Sequence, residues 1–287
     1  MIQIERYPSF LSASSLNLAE KSPNKFYLKR LSNTIFPKDE QTLAASIGSA
    51  FDYLVKDKII KSKLPTKISM LADMFKSVEN NHEEAWQVGG KIYTEYEKFV
   101  LDIYEFEDVE VVTGFTVDLK PVFGLDYKIP LYIKIDGIKR VTYFNEPIIH
   151  DWKVSGYTSE AGISPKPGYF RVWENGRLKP CHDNYSKEIS IEDIDLTWGT
   201  QLCTYGLWKH GYGKKFPVSI DMICFNNKND MRVAQYQAWV PVKFQQNVIY
   251  KYAMLWKSLL DGSFVDRLIS KTDLNMIFIK AMSEDWW

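Results

Sequence analysis

Three residues in two consecutive strand-like segments carry the chemistry this sequence offers: Asp136 in Ile135-Asp136-Gly137, and Asp151 with Lys153 in Ile148-Ile149-His150-Asp151-Trp152-Lys153. An acid followed by acid-any-lysine suits metal-dependent phosphodiester chemistry. Side chains alternate across a strand, so Asp151 and Lys153 point to one face while His150, Trp152 and Val154 point to the other. If the strand carrying Asp136 pairs alongside, two carboxylates and an ammonium converge. Two carboxylates at one point repel unless a positive charge lies between them, and hard oxygen ligands select Mg²⁺ or Mn²⁺. A lysine beside such an ion can hold or deprotonate an attacking water.

Helices must precede these strands. The spacing predicts a helical N-terminal region over Ser9 to Leu31, where Ser12, Ser14 and Ser15 can cap. A helix from Glu40 to Ile60 follows from the recurrence of Leu43, Ile47, Ala50, Phe51, Leu54 and Val55, and a longer helical region from about Ile68 to Tyr104. β-Branched and aromatic residues then mark strands at Val109 to Leu119, Leu131 to Ile138 and Ile148 to Val154, in the succession of an antiparallel meander. A helix from Leu196 to His210, strands Val218 to Phe225 and Val233 to Val240, and a helix from Val242 to Leu260 complete an α/β core with a mixed sheet flanked by helices.

No internal repeat or low-complexity linker divides the chain, which predicts one domain over residues 1–287. It comprises a helical region over 1–105, a core over 106–240 and C-terminal helices over 241–287. Within the core, the stretch from about 155 to 195 is rich in Gly and Pro and reads as a long loop. Leaving directly from Lys153, it could wall or cover the site; a solvent-exposed insertion is the alternative. Its Tyr169, Phe170 and Trp173 could stack unpaired bases, or simply pack.

With 287 residues, 45% of them hydrophobic, the chain can bury a large core. Lysine plus arginine balance aspartate plus glutamate at 36 each, so global charge gives no argument for nucleic-acid binding. Its distribution is uneven. Basic residues including Lys29, Arg30, Lys56, Lys58, Lys61 and Lys67 crowd the first quarter, and acids including Glu83, Glu97, Glu107, Asp108 and Glu110 follow. A basic face could track a phosphate backbone; a solvated helix surface is the competing explanation. Cys181, Cys203 and Cys224 lack the spacing of a disulfide framework or zinc finger. With no signal-like start and no run of about 18 apolar residues, the expectation is a cytoplasmic protein, bacterial or in a virus-infected host cell, without a membrane partner.

Four motifs in order resemble the PD-(D/E)xK nuclease superfamily, most closely its RecB-like branch with the phage-type recombination exonucleases. Ser22-Pro23-Asn24-Lys25-Phe26-Tyr27 is similar to that branch's first helix, Gly48 through Asp52 to its Gly-any-any-any-His helix, Asp136 with Asp151-Trp152-Lys153 to its acid and acid-any-lysine, and Gln201 through Tyr205 to its Gln-any-any-any-Tyr helix. The resemblance covers roughly Ser9 to Val240. Asp52 replaces the branch's His, which keeps an oxygen ligand suited to Mg²⁺ or Mn²⁺. Ser22 stands where cluster-containing members have Cys, so no iron–sulfur cluster is expected.

The resemblance implies a restriction-endonuclease-like core and a Mg²⁺- or Mn²⁺-dependent deoxyribonuclease, an exonuclease acting in DNA recombination, repair or replication. An endonuclease is the alternative among enzymes, and a DNA-binding or assembly subunit that retains the fold is the alternative outside them. DNA and a recombination or replication protein are the implied partners. Asp52, Asp136, Asp151 and the Trp152 backbone carbonyl are the implied metal ligands. Asp136, Asp151, Lys153 and Gln201 are the implied catalytic groups, and Gln201, Tyr205 and Ser12 the substrate-binding ones. Each has a structural alternative: a turn for Asp136 beside Gly137, a salt bridge for Lys153, an exposed helix position for Asp52 and core packing for Tyr205. His82, His150, His182 and His210 are scattered, and none is placed as a base.

Overall fold

Capping and apolar spacing make the first third of the chain helical. Helix α1 (Ala13–Lys21) begins at Ser12, whose Oγ accepts from the Ser15 N–H while the Ser15 hydroxyl accepts from the Ser12 N–H. Helix α2 (Pro23–Arg30) opens on a proline, where the missing N–H costs nothing. Helix α3 (Leu43–Lys63) starts at Thr42, whose hydroxyl accepts from the Ala45 N–H, and continues past the expected end at Ile60. Two helices, α4 (Ile68–Ser77) and α5 (Glu83–Phe99), occupy the region expected to hold one longer helical segment. The structure, a computed structural model, describes residues 3–34, 41–77, 83–99, 105–140, 146–156, 169–174, 177–179, 191–193, 195–225 and 231–268.

Strands β1 (Glu105–Asp118), β2 (Lys128–Arg140) and β3 (Ile148–Gly156) form the expected antiparallel meander, with the one-turn helix α6 (Lys120–Phe123) between the first two. The chain then supplies β4 (Tyr169–Glu174), β5 (Arg177–Lys179) and helix α7 (Leu196–His210) before β6 (Phe216–Phe225), which lies parallel to β3. Strand β7 (Met231–Val240) pairs antiparallel with β6, and helix α8 (Val242–Leu260) follows. The result is an α/β fold with a mixed seven-stranded sheet in the order β1-β2-β3-β6-β7-β4-β5, flanked by helices.

The stretch over 155–195 therefore contains two strands that its Gly and Pro content conceals. They form a hairpin on the outer edge of β7, separated from β3 by β6 and β7. So placed, the hairpin extends the sheet beyond β7. Residues 157–168 and 180–190, and the side chains of Tyr169, Phe170 and Trp173, lie outside the described residues, as do residues 269–287 of the C-terminal region.

Each sheet face buries its own apolar cluster. One packs α1, α2, α7 and α8 through residues such as Leu16, Phe26, Leu202 and Tyr252 against Ile135, Ile149 and Ile220. The other packs α3 and α5 through Phe51, Val55, Ile92 and Tyr96 against Val109, Trp152 and Ile223. Each such side chain contributes about 1.5–3 kcal/mol on burial. Strands β1 and β2 change face part-way along. Val111, Phe115, Ile133 and Ile135 join the first cluster, while Phe106 and Val109 join the second. The switch falls where the register passes from Val109↔Gly137 to Val111↔Ile135, and Glu110 between them has φ 50°. A non-glycine residue there is uncommon and implies that its surroundings hold it.

Helices α3 and α5 meet at Gly89, where an added Cβ would come within 2.9 Å of the Ala50 Cβ and 3.1 Å of the Ile47 carbonyl and the Phe51 nitrogen. Backbone atoms cannot rotate away. Gly89→Ala should lower unfolding free energy by about 1–3 kcal/mol through overpacking. The neighbouring Gly90→Ala meets nothing within 4 Å and should stabilise by up to about 1 kcal/mol. Urea denaturation of both variants checks this, and equal stability in the two would refute the close helix contact.

Candidate active site

A buried lysine gathers the acids. Lys56 lies one helical turn after Asp52 on α3, so the two share a face. Its Nζ donates to Asp52 Oδ2 at 2.8 Å, to Glu110 Oε2 at 2.7 Å and to Asp136 Oδ1 at 2.7 Å. All three ammonium protons thus have a carboxylate acceptor. The Lys56 side chain is 0% exposed, and an ammonium so buried is tolerable only when paired in this way. Glu110 is drawn in from β1 at the point where that strand changes face, and its second oxygen accepts from Lys134 Nζ at 2.7 Å. Asp52, Glu110 and Asp136 each offer an oxygen within 4.8 Å of the others.

On β3, Asp151 and Lys153 lie on one face and form an ion pair. The pairing Gly137↔His150 brings β2 alongside, so Asp136 and Asp151 occupy the next step on neighbouring strands. Asp136 stands inside β2, well before its end at Arg140, and is not a turn aspartate. Lys153 Nζ also donates to Gln201 Oε1 at 3.3 Å, and Gln201 Nε2 donates to the Tyr205 hydroxyl at 2.9 Å. Gln201 and Tyr205, four apart on α7, share the face predicted for them. Asp136, Asp151, Lys153 and Gln201 therefore come together from β2, β3 and α7.

The electrostatics follow from burial and these partners. Burial pushes the Asp151 carboxyl well above the usual carboxylate range, the neighbouring Asp136 charge adds to this, and Lys153 opposes it. Burial alone would raise Asp136 too, but the Lys56 ammonium holds it well below that range. Burial would lower Lys56, yet Asp136, Asp52 and Glu110 raise it well above an ordinary lysine. Asp52 is pushed up to about 6, first by burial and then by Asp136 and Glu110, against the pull of Lys56. Adjacent acids with pKa values driven apart are a feature of catalytic sites, though structural ion-pair networks produce it as well.

Several other expectations meet definite positions. The Trp152 ring is core: its Nε1 donates to the Tyr96 hydroxyl at 2.8 Å, which donates to Asp221 Oδ2 at 2.6 Å. His150 points away from Asp151, contacts Ser219 Oγ at 2.8 Å through Nδ1, and is held neutral by burial. Ser12 Oγ is engaged in capping α1, and Leu11 beside it bridges to Leu131 of β2. Gly48 leaves β3 near, with Val154 Cβ 3.9 Å from where its own Cβ would be, a distance that alanine also tolerates.

Four lysines of the basic first quarter are engaged by carboxylates. Lys56 is buried, Lys58 pairs with Glu97 at 2.7 Å, Lys61 with Asp57 at 2.9 Å, and Lys67 pairs with Asp108. These four are offset by acids of their own helix or of the run that follows. Lys56 and Glu110 are the functional candidates that sequence reasoning misses. Their signal was present but diluted: Lys56 keeps i, i+4 spacing to Asp52, and Glu110 stands among many acids.

No protein-family model matches the chain, and no curated protein matches it. It is similar to a solved structure described as the crystal structure of SSO0001, at 15% identity over 83% of this chain and 85% of that one, with a TM-score of 0.27. So loose a superposition carries no argument about the site. Among the described residues, no helix is long and apolar enough to cross a membrane.

The raised Asp52 carboxyl makes a pH prediction. A carboxyl whose folded pKa exceeds its unfolded value stabilises the fold fully below the unfolded pKa, near 3.8, and loses that contribution as pH rises through about 6. Because 31% of its side chain remains exposed, the effect should be on the order of 1 kcal/mol. Denaturant unfolding from about pH 4 to about pH 6 should show wild-type stability falling relative to Asp52→Asn. Parallel profiles would contradict the assignment.

Proposed function

We propose that the chain is a Mg²⁺- or Mn²⁺-dependent deoxyribonuclease with a restriction-endonuclease-like core, hydrolysing phosphodiester bonds from DNA ends in recombination, repair or replication. The observation that carries this reading is the convergence of Asp136, Asp151, Lys153 and Gln201 from three separate elements. That constellation agrees with the four-motif resemblance in the sequence.

The donor set suits a divalent cation. Asp52, Glu110, Asp136 and Asp151 face three ammonium groups, Lys56, Lys134 and Lys153, which leaves one net negative charge if all are ionised. Carboxylate oxygens are the ligands that Mg²⁺ and Mn²⁺ prefer. Asp136, Asp151 and the Trp152 carbonyl would hold the ion. When bound, it supplies Lewis-acid activation of the phosphate and acidifies water. Lys153 is the cation of this chain placed to steady negative charge that develops on the phosphate oxygens. Gln201 acts through it: its carbonyl oxygen accepts from Lys153 while its amide is fixed by Tyr205, so it is a positioning residue.

Purified Lys153→Ala should lower kcat for end-labelled linear DNA in Mg²⁺ by at least about a hundredfold, with circular dichroism and DNA affinity in Ca²⁺ largely retained. Wild-type turnover by that variant would sink the mechanism. Digestion of circular DNA by the unaltered protein would assign an endonuclease instead, and no metal-dependent cleavage of any substrate would favour the non-catalytic alternative. In calorimetric titration, Asp136→Asn and Asp151→Asn should each lose Mn²⁺ affinity, since each exchanges an anionic oxygen for a neutral amide. Unchanged affinity in both would remove them as ligands.

A further inference from the structure

We propose that Lys56 is a built-in cation that occupies the position among Asp52, Glu110 and Asp136 where a second divalent ion would otherwise sit, so that the protein holds one ion, at Asp136 and Asp151. The inference rests on the metal-dependent reading above. Three oxygens within 4.8 Å of one another are spaced as ligands to a single centre, and the centre present is an ammonium. Lys56 Nζ reaches one oxygen of each acid at 2.7–2.8 Å, which uses every proton it has. Both oxygens of Glu110 are already engaged by lysines, one accepting from Lys56 and the other from Lys134.

Charge and connectivity point the same way. Three carboxylates with Lys56 and Lys134 leave one negative charge, so most of the acids' charge is already offset without an ion. Expelling Lys56 would be costly, because its side chain is wholly buried and its α3 neighbours Phe51, Val55, Ile59 and Ile60 are packed core. The lysine is delivered by the helix that carries Asp52, so it competes with dissolved metal at the high effective concentration of a tethered group. Asp151 has its own cation in Lys153. Asp52, read from the resemblance as a metal ligand, is thereby the ammonium's partner.

Mn²⁺ binding measures this directly. Calorimetry with electron paramagnetic resonance should count one Mn²⁺ in the wild type, lost in Asp151→Asn. Lys56→Gln, which removes the charge and keeps a polar chain, should gain one further Mn²⁺ that survives Asp151→Asn and disappears in Glu110→Gln. Two ions in the wild type, or no gain in Lys56→Gln, overturns the proposal. If the wild type binds none and Lys56→Gln binds one, Lys56 is the internal cation as proposed and the metal-nuclease reading falls. Should Lys56→Gln be unfolded in EDTA, added Mn²⁺ must restore the native circular dichroism spectrum, and Glu110→Gln must abolish that rescue. Failure of Mn²⁺ to restore it counts against the proposal.

Discussion

A lysine ammonium with no access to water must be paired, and the way Lys56 is paired constrains much of this structure. Its three carboxylates come from α3, β1 and β2, so one buried charge ties a helix to two strands. Removing the ammonium would leave three acids facing one another with only Lys134 to offset them, at a cost of about 3–5 kcal/mol for a buried pair. The same requirement explains the backbone at Glu110. Held at positive φ, that residue lies where β1 and β2 change face, and its carboxylate meets both Lys56 and Lys134. Strain there is offset by two ion pairs.

From this centre the site is assembled in layers. Asp136 belongs to the Lys56 cluster on one side and neighbours Asp151 on the other, so the pair proposed to hold a metal adjoins a cluster offset by Lys56. Lys153 and Gln201 lie beyond it, with Tyr205 fixing the amide. The second buried network, Trp152 to Tyr96 to Asp221, holds α5 against β3 and β6 on the opposite face. Strand β3 is therefore fixed from both sides, as the role proposed for Lys153 requires.

Much of this was legible in the sequence because local physics and tertiary structure agree. Helices α7 and α8 fall over the residues their periodicity predicts; Asp195 caps the first, and Pro241 immediately precedes the second. The meander of β1, β2 and β3 follows from β-branched alternation, and the two-residue spacing placed Asp151 with Lys153 correctly. What escaped did so for identifiable reasons. The β4–β5 hairpin draws its order from the edge of β7, and its flanking Gly and Pro signal loops. Lys56 looks like one of many basic residues, although Val55, Ile59 and Ile60 beside it on the helix are apolar. Glu110 breaks the strand alternation that a sequence reading relies on, since positive φ at a glutamate has no sequence signal.

The most direct test is a crystal structure of the protein soaked with Mn²⁺ and measured at the manganese edge. A single anomalous peak between Asp136 and Asp151, with Lys56 Nζ still within hydrogen-bonding distance of Asp52, Glu110 and Asp136, is the result this account predicts. An anomalous peak among Asp52, Glu110 and Asp136 with Lys56 displaced from them would contradict it.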